Sequence, residues 1–164
     1  MISRSTRELF WSRALGSYRD EDAVAWAAAE VERQPPSPNL AALATSVFPY
    51  NHFEVEDLLR RALAEIGVSE PDRAVSWREF MYETGRAILE GTLTPREGCA
   101  KLAEAHGGDI TRGEFQPFYL LHLGIHDLEA EAMQWYYDGL TVQNFDELVR
   151  REAEVLVEAT RGTP

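Results

Sequence analysis

Cysteine is nearly missing from this chain of 164 residues: Cys99 stands alone. An intramolecular disulfide is therefore excluded, a thiolate metal cluster is not available, and a reducing cytoplasmic setting fits best. Lysine is just as scarce, with Lys101 beside fifteen arginines. No stretch gathers the basic side chains that a phosphate backbone requires, and the net charge of -12 works against such a ligand, so nucleic acid is excluded as a partner. Long apolar runs are absent too. Arg4, Arg7, Glu8 and Arg13 interrupt the first fifteen residues, and no later segment approaches the ~20 apolar residues of a membrane span. No sustained alternation of apolar and polar residues marks a strand.

What is present is helical periodicity and negative charge. The sequence predicts an all-α fold, a single helical domain over 1–164 built as an antiparallel bundle of about seven or eight helices with short connections. Hydrophobic residues make up 45% of the chain, enough for a core without a structural metal. A first helix is predicted over Arg7 to Leu15 with a stop at Gly16, and a second after Asp20 as N-cap, ending before Pro35. Pro38 opens a short segment through Val47. Asn51 and Glu54 start a helix to Ile66, whose apolar stripe runs through Val55, Leu58, Leu59, Ala62, Leu63 and Ile66.

Another helix is predicted from Ser69 or Ser76 to Glu90. Thr94, Pro95 and Glu97 combine an N-cap, a first-turn proline and a capping-box acid, and Gly107 with Gly108 closes the helix they begin. Pro117 opens a segment that Gly124 weakens or breaks, Asp127 to Tyr137 forms a further helix stopping at Gly139, and the last helix covers about Gln143 to Thr160.

The acids concentrate at the C-terminal end. From Asp127 to Glu158 there are nine carboxylates against Arg150 and Arg151 alone. Such a surface attracts basic partners and repels anionic membranes, although solubility by itself also explains an acidic helix face. Trp135, Tyr136 and Tyr137 lie within it. Three consecutive rings cannot all face inward on one helix, so at least one is expected near the surface, where an aromatic flanked by carboxylates suits a protein interface. Glu129, Glu131, Trp135, Tyr136 and Asp138 are the candidate partner-binding residues.

His122 and His126 would share a face of an unbroken helix, with Glu129 one turn later, a thinkable metal set. The general base of H-E-x-x-H is missing between them, and a plainer reading is two polar side chains beside a loop. His52 or His106 would join a site only through tertiary folding. Cys99, near a helix start, is expected to be a small buried hydrophobe and not a nucleophile. No catalytic residue and no cofactor is assigned.

The segment Ile88, Leu89, Glu90, Gly91, Leu93, Thr94, Pro95, Arg96, Glu97, Gly98, Cys99, together with Phe115, Phe118, Trp135, Gly139, Leu140 and Phe145, resembles the small acidic α-helical proteins of the bacterial colicin and bacteriocin immunity-like group. The resemblance implies a cytosolic, non-enzymatic inhibitor that occludes a basic toxin domain. The alternative is a metal-binding helical protein or metal-dependent enzyme using His122 and His126.

Overall fold

A computed structural model describes residues 2–107 and 113–161. The fold is all-α, with no strand among the described residues. Its elements are α1 (Arg4–Leu15), α2 (Asp20–Arg33), α3 (Pro38–Ala44), α4 (His52–Glu65), α5 (Arg73–Glu90), α6 (Pro95–His106), a 3-10 turn (Gly113–Phe115), α7 (Gln116–Glu131) and α8 (Phe145–Thr160). Among the described residues no helix is long and apolar enough to cross a membrane. The backbone groups into two compact units, Met1–Trp77 and Arg78–Pro164.

In the first unit, α1 begins at Arg4, three residues before the sequence signal, because Ser3 acts as N-cap and accepts from the Thr6 amide at 3.0 Å. Gly16 ends the helix in the left-handed region at φ 79°, where a side chain would be strained. Asp20 is the first helical residue of α2 and not its cap. Arg19 holds the cap position, and its amide donates to Asp22 at 2.8 Å. Pro38 starts α3 with a pre-set φ, and Asn51 caps α4 by accepting from the Phe53 amide at 3.2 Å.

Leu9, Phe10, Trp26, Leu40, Leu43, Val55, Leu59 and Leu63 form the core that α1 to α4 enclose. Each such aliphatic or aromatic side chain contributes about 1.5–3 kcal/mol on burial. The stripe predicted for α4 is the one that faces this core. Buried Glu30 ties α2 to the start of α1, accepting from the hydroxyls of Ser3 and, at 2.8 Å, Ser5. Trp26 adds an indole N–H to Thr6 Oγ1 at 2.9 Å, so the polar atoms under the α1 N-terminus are partnered.

In the second unit, the capping box at Thr94 forms as its spacing predicts: Thr94 accepts from the Glu97 amide at 3.2 Å while Glu97 accepts from the Thr94 amide at 3.0 Å. Gly107 closes α6; Gly108 lies outside the described residues. Helix α6 packs on α7, and both pack on α8. Ile88, Leu102, Phe115, Phe118, Leu121, Ile125 and Val149 are fully buried.

Gly98 lets α6 approach α5 closely, since a Cβ there would sit 2.3 Å from Ile88 Cγ1. Cys99 is buried, as its sequence context predicts, and its thiol donates to the Phe118 carbonyl at 3.3 Å. Burial pushes that thiol up to about 12, so it is not a thiolate at neutral pH.

Helix α7 departs from the sequence pattern. It runs unbroken from Gln116 to Glu131 through Gly124, so Asp127–Glu131 of the helix predicted over Asp127 to Tyr137 are its last residues, and residues 132–137 are not helical. Gly124 is buried because Leu140 lies across it; a Cβ would come within 2.6 Å of Leu140 Cδ2 and 3.2 Å of Gln134 Oε1. The glycine provides clearance for another segment and does not stop the helix. The stop comes at Ala132, whose amide still donates to Leu128 O at 3.1 Å while its left-handed φ of 58° turns the chain out of the helix.

Candidate protein-binding surface

Residues 132–144 form an irregular loop between α7 and α8, and side chains of its own sequence hold it in shape. Gln134 is the central brace. Its Oε1 accepts from the amides of Tyr136 at 2.8 Å and Tyr137 at 3.0 Å, and its Nε2 donates to the Tyr137 carbonyl at 2.7 Å. Asn144 closes the far end: Oδ1 accepts from the Thr141 amide at 2.8 Å and Nδ2 donates to Gly139 O at 2.9 Å.

Thr141 Oγ1 in turn accepts from the Asn144 amide at 3.2 Å. The Tyr137 hydroxyl donates to Glu152 Oε1 on α8 at 2.5 Å and accepts from Arg151 at 2.9 Å. Burial, followed by the Glu152 carboxylate, raises the Tyr137 phenol above its ordinary range. With Leu140 buried over Gly124, the loop is anchored at both ends and in the middle.

This braced segment shows apolar groups to solvent. Trp135 is 86% exposed, Met133 55%, Val142 49% and Tyr136 42%. Glu131 and Asp138 are exposed beside them in the sequence. Of the three consecutive rings only Tyr137 turns inward, so two reach the surface. They do so from a loop, whereas the sequence pattern placed them on a helix. The outward residues Asp146, Glu147, Glu154 and Glu158 of α8 continue the acidic character, while Val149, Ala153 and Leu156 face the core.

Glu129 is placed differently from its neighbours. It is exposed on α7, but Arg96 of α6 takes its carboxylate through two hydrogen bonds, one of them at 3.2 Å from Nη1 to Oε2. That guanidinium holds the Glu129 carboxyl below the usual carboxylate range. The same pairing bears on the histidines. Continuous α7 brings His122 and His126 together, with ring centroids 4.5 Å apart and planes at 82°. Burial, then neighbouring His126 and Arg96, lowers the His122 imidazole below its ordinary value.

Gln134, Tyr137, Leu140 and Asn144 escape a reading based on periodicity because each works through the loop itself. One local signal does exist: Thr141 and Asn144, three apart before the final helix, have the spacing of a reciprocal cap. No family model, curated protein or solved structure matches this chain.

Proposed function

We propose that the chain is a non-enzymatic, cytosolic binding protein of the immunity or antitoxin type, which occludes a basic protein partner through the 132–144 loop. The observation that carries this reading is Trp135, a large ring left 86% exposed on a segment whose backbone is braced by Gln134, Asn144 and Tyr137. A pre-shaped loop loses little further freedom on association, so an exposed indole on it is suited to act as a binding anchor.

Glu131, Asp138 and the outward acids of α8 supply the charge that steers a basic partner to the anchor, and Met133, Tyr136 and Val142 extend its apolar contact. Glu129 contributes less because Arg96 already neutralises it. An acidic, aromatic-bearing surface of this kind fits a Lys- or Arg-rich protein face, including a nuclease surface shaped for phosphates.

The test is capture at low ionic strength with tag-free protein, followed by affinity measurement against whatever basic protein is recovered. The proposal expects affinity to fall with salt and to fall again when Glu131 and Asp138 are changed to Gln and Asn. Recovery of no basic protein, or a recovered partner indifferent to both changes, would overturn it.

A further inference from the structure

A second group of side chains lies wholly within the first unit. His52 and Glu56 are four apart in α4 and therefore share a helix face, and Asp20 reaches them from the first turn of α2. One ligand-capable atom from each of the three lies within 4.8 Å of the others. His52 Nδ1 and Asp20 Oδ1 are already 2.8 Å apart. Tetrahedral zinc with bonds near 2.0–2.2 Å separates its ligands by about 3.4 Å, so adjustments on the order of 1 Å would bring the set into coordination.

The surroundings have the form of an outer shell. Arg13 donates two hydrogen bonds to the Glu56 carboxylate, at 2.8 and 3.1 Å, and a third to Glu70 at 2.8 Å, which fixes the orientation of Glu56 and keeps a carboxylate partner for the guanidinium if one Glu56 oxygen is drawn away. Tyr18 lies under that guanidinium, 4.7 Å from ring centroid to Cζ.

The Tyr18 hydroxyl is buried beside the Glu56 carboxylate, and burial first, then Glu56, raises the phenol above its ordinary range. His52 and Glu56 also border an open cleft of about 420 Å³, lined in addition by Arg13, Tyr18, Glu70 and Arg73, which leaves space for the water that completes a three-ligand site.

We infer that Asp20, His52 and Glu56 form a binding site for a divalent transition-metal ion, with Zn²⁺ the best match to one imidazole nitrogen and two carboxylate oxygens. Arg13 acts as a positioning residue for Glu56. The site shares no residue with the histidine pair of α7 and does not depend on the protein-binding proposal.

The experiment is calorimetric titration of the full, tag-free, chelator-treated chain with zinc sulfate. One Zn²⁺ per chain is expected, weakened at least tenfold in His52→Ala and in Asp20→Asn, and unaffected in His122→Ala. The His52 side chain is 61% exposed, so its removal leaves the core intact, and circular dichroism verifies that the variant is folded. Absence of stoichiometric binding, binding undiminished in His52→Ala, or binding lost in His122→Ala instead would each overturn the inference.

Discussion

Replacing Gln134 with alanine separates the shape of the loop from the stability of the unit that carries it. The side chain makes three hydrogen bonds to the backbone of Tyr136 and Tyr137. At about 0.5–1.5 kcal/mol net for each bond, the upper limit of the loss is about 4.5 kcal/mol. Water can reach the exposed Tyr136 amide once the glutamine is gone, which offsets part of this, so the expected cost is about 1–2 kcal/mol of local opening free energy. That corresponds to roughly 5–30-fold faster hydrogen exchange at the Tyr136 and Tyr137 amides.

The remainder of the second unit should hold, because Phe118, Leu121, Ile125 and Val149 are buried in its core. Amide exchange followed by NMR or mass spectrometry reads both quantities together. Unchanged exchange at residues 136 and 137 would refute the claim that Gln134 braces the loop. Equal acceleration throughout α7 and α8 would refute the claim that the brace is local.

Gly98→Ala should destabilise the protein by up to about 2 kcal/mol: intrusion on fully buried Ile88, 2.3 Å from the added Cβ, costs toward the upper end of about 1–3 kcal/mol. The gain of about 1 kcal/mol in helix propensity offsets only part of that cost, so a rise in Tm would contradict the close approach. Ala132→Gly should act in the opposite direction. Relief of about 1–2 kcal/mol of left-handed strain exceeds the added freedom of the unfolded chain, giving a net gain of up to about 1 kcal/mol in a denaturant melt, and destabilisation would contradict it.

His52 should titrate above the ordinary histidine value because the Asp20 hydrogen bond favours its protonated form. The folded state then holds the proton more tightly than the unfolded one. The pair's contribution is complete below the ordinary value and disappears as pH rises through the raised one. Asp20→Asn should bring the NMR midpoint down, and an unmoved midpoint would contradict the pairing.

The parts of this fold that periodicity and capping reveal are those set within a few residues. Thr94, Pro95 and Glu97 announce α6 because the reciprocal bonds close over one turn, and Gly16 and Gly107 mark stops because the left-handed geometry is local. Gly124 misleads for the opposite reason. Its small size is required by Leu140, sixteen positions later, so the same residue that signals a break in isolation is compatible with a continuous helix once the loop packs over it.

The stop at Ala132 carries no glycine and leaves no sequence signal, and the predicted helix through Trp135 was lost with it. Asp20 and Glu30 are likewise recognisable only after folding, when His52 and the α1 hydroxyls arrive beside them. Acidic charge and exposed aromatics could be anticipated from composition; the bracing that makes the loop a defined surface could not.

The most direct measurement is the affinity of a captured basic partner for two variants, Trp135→Ala and Phe53→Ala. Both rings are over 80% exposed, at 86% and 84%, but Phe53 belongs to the first unit. Loss of at least tenfold in Trp135→Ala, with Phe53→Ala binding like the unaltered chain, is the predicted result, in keeping with the more than 1.4 kcal/mol or so that a buried anchor contributes. Unchanged affinity in Trp135→Ala, or an equal loss in Phe53→Ala, would contradict the assignment of the 132–144 loop as the binding surface.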